Sequence, residues 1–256
     1  MAAGRVWVNG LPSAQVDVAD RGLAYGDGLF ETLRIAQGRA VLGQRHLERL
    51  AASAAALGIA LDIHALSADF QRFLAGCGDA VAKIVVTRGV GGRGYLPAPD
   101  LVPTVIFSLH EAVAPEPALA ADGIVAVTLV QRLGKSPLLA GHKHLNRLEQ
   151  VLLRRELAQH AGAREAVVCD VDGLVVEGVA GNLFFVRDGE LHTPALRHAG
   201  VAGVMRAEVL AEASCAGIVV RQGDYLPAAL HDADEVFFCN SVHGILPVRE
   251  LDGRPF

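Results

Sequence analysis

Hydrophobic and polar positions change period along the 256 residues, and the changes mark the elements. In "RVWVNG" Val6 and Val8 share one face of a strand that stops at the turn pair Asn9-Gly10. "LFETLRIAQGRAVL" reads as two strands joined at Gln37-Gly38. The period then lengthens. Leu47, Leu50, Ala54 and Leu57 recur at helical spacing, and Gly58 is placed to end that helix. "AVAKIVVTRG" and "LVPTVIFSLH" are strands with a glycine-rich loop between them, and "IVAVTLVQRL" is another strand. From Leu145 the pattern predicts an amphipathic helix with Leu145, Leu148, Val151, Leu152 and Leu157 near one face. Arg147, Glu149, Arg154 and Arg155 fall largely elsewhere, and Lys143 stands at the mouth of that helix between His142 and His144.

Further on, "EAVVCDVDG" turns at Asp172-Gly173, and "LVVEGVAGNLFFVRDGELHTP" is an apolar β-rich run turning again at Asp188-Gly189. A helix near 204–215, the strand "GIVVRQ", a short helix near 226–233 and a last strand "EVFFCNSV" complete the pattern. "EAVAPEPALAADG" (111–123) carries two prolines and little periodicity, which predicts a linker. The expectation is an α/β or α+β chain of two lobes, 1–110 and 124–256, with a cleft between them.

Composition narrows the function. At 52% hydrophobic residues the chain can build substantial cores. No apolar run reaches the roughly 18 residues of a membrane span, so no membrane partner is expected. "MAAGRVWVNG" lacks the basic and apolar blocks of a secretory signal. Cys77, Cys169, Cys215 and Cys239 show no CxxC spacing, which fits a reducing cytoplasm. A net charge of −5 argues against nucleic acid as a partner. His142 and His144 as a metal pair lack a third ligand, so no metal is expected.

Four features remain. Lys143 lies between two histidines after an apolar strand, and neighbouring cations or burial turn a lysine into a nucleophile or base. Glu177 is a lone carboxylate in an apolar run, where an unpaired charge is costly. Gly200 and Gly203 precede a helix whose first amides suit an anion, with Arg49 and Ser241 as further candidates. "TRGVGGRGYLPAP" presents Arg88, Arg93 and Tyr95, and arginine suits carboxylates. Taken singly, these are a solvated lysine, an exposed strand carboxylate, a common glycine-to-helix junction and a solvent loop. Together they are the parts a pyridoxal phosphate enzyme needs: a lysine to carry the cofactor, a carboxylate for its pyridine nitrogen and a phosphate cradle.

The chain also resembles the fold-type IV pyridoxal-phosphate enzymes, which include branched-chain and D-amino-acid aminotransferases and aminodeoxychorismate lyases. "YGDGLFETLR", "HLERL", "TRGVGGRGY", "KHLNRLEQVLLR", "EGVAGNLF" and "AGVAGVMR" occur in the family's order and spacing across nearly the whole chain. The resemblance implies a smaller N-terminal α/β domain, a larger C-terminal domain, pyridoxal 5′-phosphate in the cleft, and a homodimer. Carried over by position, Lys143 holds the cofactor and Glu177 its pyridine nitrogen. Arg49, the amides of Val204 and Met205, and Ser241 become phosphate ligands, and Arg93 and Tyr95 hold substrate carboxylates. "KHLNRLEQV" with "GGRGY" looks most like the lyases, and Phe30 lacks the hydroxyl expected of an aminotransferase there. The implied activity is release of 4-aminobenzoate and pyruvate from the small-molecule substrate 4-amino-4-deoxychorismate, with an aminotransferase as the alternative. A cofactor-free binding module docking through the basic helix 147–155 is disfavoured by the acidic net charge and the motif order.

Overall fold

The computed structural model describes residues 4–113 and 121–256; of the expected linker, 114–120 lie outside the described residues. The chain divides into two compact units, Met1–Ala114 with Lys143–Asn146, and Pro115–His142 with Arg147–Phe256.

The first unit runs β1 (Val6–Val8), β2 (Leu11–Pro12), α1 (Arg21–Tyr25), β3 (Gly28–Ala36), β4 (Arg39–Ala40), α2 (Gly43–Ala56), α3 (Ile63–Leu74), β5 (Ala80–Thr87) and β6 (Thr104–His110). Among the described residues the strands form one antiparallel sheet in the order β2-β1-β6-β5-β3-β4. Both expected hairpin turns form. Asn9-Gly10 and Gln37-Gly38 each take two consecutive positive φ angles, the geometry that matches strand twist. Alternation sends Leu29, Leu33 and Ile35 of β3 into a core with Ile84, Val86 and Phe107, against Leu50 of α2 and Phe70 and Phe73 of α3. Phe30 and Thr32 take the opposite, half-buried face, opposite Val85 and Lys83 of β5.

The helix α3 is not among the elements expected from the sequence, although its signals are present. Asp62 caps it by accepting from the His64 and Ala65 amides at 3.0 Å, and Leu66, Phe70, Phe73 and Leu74 make its buried stripe.

The second unit runs β7 (Ile124–Leu133), α4 (Leu148–Leu157), β8 (Ala163–Asp170), β9 (Val175–Gly178), β10 (Asn182–Arg187), β11 (Glu190–Pro194), α5 (Val204–Cys215), β12 (Val220–Gly223), α6 (Ala228–His231), β13 (Glu235–Asn240), β14 (Gly244–Leu251) and β15 (Arg254–Pro255). Its mixed sheet has the order β12-β11-β10-β13-β14-β7-β8-β9, with β15 on β14. The chain does not end on "EVFFCNSV". β14 follows, antiparallel to β13 and parallel to β7, and so joins the two halves of the sheet.

The helix expected from Leu145 begins instead at Leu148, so Lys143 is not at its mouth. Residues 143–145 run extended beside β3: the Phe30 amide donates to the Lys143 carbonyl at 2.9 Å, and the Leu145 amide to the Gly28 carbonyl at 2.9 Å. The expected face shifts accordingly. Leu153 and Leu157 are buried with Leu129 and Leu133, whereas Leu148 is 72% exposed and Val151 and Leu152 are exposed too. Among the described residues no helix is long and apolar enough to cross a membrane.

Candidate active site

Lys143 is half-buried, and its side chain is set by β3. Its Nζ lies 4.4 Å from the centroid of the Phe30 ring, and Lys83 Nζ lies 5.1 Å from the same centroid. Two ammonium groups thus share one aromatic ring, whose negative face attracts both. Sequence reasoning missed Lys83. Its signal was a single cation within the apolar strand "AVAKIVV".

Arg49, on α2, turns toward the sheet. Its Nε donates to Glu31 Oε1 at 2.8 Å, and its Nη2 donates to Glu31 Oε2. His46, one turn earlier on α2, places Nδ1 2.6 Å from the same Oε2. Burial alone raises the carboxyl pKa of Glu31, but hydrogen bonds from His46 and Arg49 outweigh it and hold the group below its ordinary value.

The glycine-rich loop after β5 is fastened to α1. Arg21, only 3% exposed, donates from Nε to Asp27 at 2.9 Å, from Nη1 to the Gly94 carbonyl at 2.9 Å, and from Nη2 to the Tyr95 carbonyl at 2.8 Å. The Tyr25 hydroxyl accepts from the Gly94 amide at 3.1 Å, and its ring meets that of Tyr95 edge-on at 5.7 Å. The loop backbone is held while Arg93 and Tyr95 stand out from it, Tyr95 with 88% of its surface exposed. Burial raises the pKa of Asp27, but hydrogen bonds and charge from Arg88 and Arg21 hold it below the usual carboxylate range.

In the second unit Glu177 is 5% exposed, and its Oε2 accepts from the Val201 amide at 2.8 Å. Asn182 donates to the Val201 carbonyl at 2.8 Å. One short segment, 200–203, is therefore gripped through both the amide and the carbonyl of Val201. It cannot carry side chains at its glycines: a Cβ on Gly200 would lie 2.8 Å from Val176 and Leu196, and one on Gly203 would lie 2.0 Å from Asn182 Oδ1. Gly141 pairs with the same segment, donating to the Gly200 carbonyl at 2.9 Å and accepting from Ala202 at 3.0 Å. The segment leads into α5, whose N-terminus at Gly203 has no side-chain cap. The first amides of a helix have no intrahelical acceptor, so those of Val204 and Met205 are available to donate to an anion. Ser241 follows β13 at the sheet end where Asn182 pairs with Cys239.

Glu165 was also missed. It is buried and accepts from the amides of Ala166 at 3.0 Å, Val179 at 2.8 Å and Ala180 at 3.3 Å, tying down the loop that follows Glu177. Burial raises its pKa against the three amide bonds and the more distant charge of Arg154. Among the described residues no group of three or more His, Cys, Asp or Glu is placed to hold a metal ion.

The first unit supplies a half-buried lysine beside an aromatic ring; the second supplies a buried carboxylate and an uncapped helix N-terminus cleared by glycine. Taken unit by unit, a lysine, a buried carboxylate and an uncapped helix start are the donor types that a phosphorylated pyridine aldehyde calls for. The family described as amino-transferase class IV matches residues 28–251, and the chain belongs to it. The chain is 41% identical to an aminodeoxychorismate lyase of Vibrio harveyi over 94% of its own length and 89% of that protein's. It is 49% identical to a crystal structure of 4-amino-4-deoxychorismate lyase from Pseudomonas aeruginosa, with a TM-score of 0.95 over 98% of this chain and 93% of that one. A branched-chain amino acid aminotransferase from Escherichia coli is 27% identical with a TM-score of 0.84, covering 99% of this chain and 87% of that one. Another solved branched-chain aminotransferase, similar to this chain at a TM-score of 0.85, carries pyridoxamine 5′-phosphate. The fold is the mixed α/β fold of these enzymes.

Proposed function

We propose that this protein is a pyridoxal-5′-phosphate-dependent lyase that converts 4-amino-4-deoxychorismate to 4-aminobenzoate and pyruvate in cytoplasmic folate biosynthesis. The observation that carries this reading is the likeness to two lyases of that substrate, at 41% and 49% identity over nearly the full chain.

Arg49, the amides of Val204 and Met205, and Ser241 hold the phosphate. Glu177, buried and fixed by Val201, keeps a proton at the pyridine nitrogen, because a carboxylate stabilises the protonated ring. When bound, the cofactor supplies an electron sink conjugated to the substrate's amine. Lys143 would anchor it until the substrate's amine takes that place, and the freed Nζ would then move the protons of the reaction. Lys143 Nζ takes the proton from the amine-bearing ring carbon. The bond between the ring and the enolpyruvate oxygen breaks, and the ring becomes aromatic. The departing enolpyruvate takes up a proton at its methylene carbon and becomes pyruvate.

The substrate carries two carboxylates, and its reacting amine is not α to either. Phe30 offers no hydroxyl to an α-carboxylate, while Lys83 beside the same ring and Arg93 on the loop are two cations for the carboxylates present. A second copy of the chain is the partner. The exposed apolar residues Val18, Leu23, Leu96 and Val102 suit such a contact, and sedimentation at dimer mass is the expected result.

The deciding assay contains no keto acid. Release of 4-aminobenzoate and pyruvate over many turnovers is expected. Conversion of the bound cofactor to its amine form by alanine, glutamate or a branched-chain amino acid, with no aminobenzoate made, would make the protein an aminotransferase.

A further inference from the structure

Glu31, His46 and Arg49 form a polar cluster at the helix-covered core of the first unit. Glu31 is 1% exposed, His46 is fully buried, and Arg49 is 14% exposed. Glu31 holds an inward position of β3 between Leu29 and Leu33, both core residues. Burying such a group is costly, and an apolar set of similar volume often packs as well or better. The fold alone gives no reason for this trio.

Its geometry gives one. Glu31 engages the Nε edge of the Arg49 guanidinium through both carboxylate oxygens. Pairing along one edge fixes the plane of the fork and the heading of its opposite edge. Glu31 is itself held, since Oε2 takes a third hydrogen bond from His46 Nδ1 at 2.6 Å. A carboxylate only accepts, so His46 directs an Nδ1 hydrogen at Glu31, while its Nε2 is buried without a hydrogen-bond partner. Arg49 thus emerges from the core already oriented, and an anion reaching it does not have to order a flexible side chain.

We infer that Glu31 and His46 are positioning residues that set Arg49 for the cofactor phosphate. This rests on the assignment of Arg49 as a phosphate ligand. Both are buried beneath Arg49 and neither is placed to touch a bound ligand. Their effect is therefore confined to ligands that carry the phosphate.

The test titrates pyridoxal 5′-phosphate and phosphate-free pyridoxal onto the full-length chain freed of cofactor, reading absorbance, with circular dichroism as the check on folding. Arg49→Gln should weaken pyridoxal phosphate at least about 10-fold and leave pyridoxal unchanged, as for loss of a charge-assisted hydrogen bond. Glu31→Gln should do the same by about 10-fold, because the amide nitrogen now faces donors. His46→Leu should follow it, and His46→Asn, which returns a donor near the Nδ1 position, should recover most of the affinity. If Glu31→Gln fails to fold, the two His46 variants decide alone. Equal loss for both ligands in the Glu31 or His46 variants would mean a purely structural role and overturn the inference. So would unchanged phosphate-dependent affinity in them while Arg49→Gln loses it. If Arg49→Gln itself changes nothing, the phosphate assignment fails and the inference falls with it.

Discussion

The Phe30 amide donates to the Lys143 carbonyl at 2.9 Å, and the Lys143 ammonium lies 4.4 Å from the centroid of the Phe30 ring. Backbone and side chain of the proposed reactive lysine are both set by one residue of β3. Borohydride treatment of the yellow holoenzyme should fix a pyridoxyl group on Lys143, and Lys143→Ala should lose the label and nearly all turnover. Phe30→Leu keeps an apolar side chain but removes the ring face. It should lower kcat/KM by roughly 0.5–2 kcal/mol, the range of a cation–π contact, with labelling of Lys143 retained. Peptide mapping after reduction and steady-state assays check both, and a label on another lysine would refute the assignment.

Glu177→Gln keeps an oxygen for the Val201 amide but loses the charge. The cofactor should still bind, while turnover falls on the order of 100-fold, as for loss of one strong electrostatic contact in a site. Turnover at the wild-type rate would rule out the role at the ring nitrogen.

Glu165 gives a pH signature of known sign. Its folded-state pKa is raised, burial being the largest cause, so the folded chain holds this proton more tightly than the unfolded chain does. Stability contributed by that proton is present below the ordinary value of 4.5 and is lost as pH rises toward the higher folded value. Urea midpoints from about pH 4 to 7 should therefore show wild type losing ground against Glu165→Gln as pH rises. Glu165→Ala strands three amides and should cost at least about 1–3 kcal/mol, the range for one buried donor left without its acceptor.

Arg21→Lys retains charge beside Asp27 but cannot span to both loop carbonyls. Losing a charge-assisted hydrogen bond is worth about 1.5–3 kcal/mol. KM for aminodeoxychorismate should rise roughly 10-fold, with cofactor absorption unchanged. A fall in cofactor affinity with KM intact would show that Arg21 serves something other than the loop bearing Arg93.

Much of this protein was set locally, and those parts were legible from sequence. Asn9-Gly10 and Asp188-Gly189 turn where their residue types favour positive φ, and Gln37-Gly38 takes the same path with the glycine as its signal. The apolar period and the glycines before it marked the helix Val204–Cys215. The same glycines marked the uncapped helix start at Gly203, and the lone carboxylate in an apolar run, Glu177, is buried on the Val201 amide. What the tertiary structure alone decided are matters of long-range pairing. Local periodicity carried a helix back to Leu145, but hydrogen bonds to Gly28 and Phe30 draw residues 143–145 out straight. β14 takes its place by pairing with β7, more than a hundred residues earlier. Glu31, Lys83 and Glu165 read as ordinary charges along the chain. Each acquires its role from groups on other elements, His46 and Arg49 for Glu31, Phe30 for Lys83 and the 179–180 amides for Glu165, and the energy of a buried charge depends on such partners.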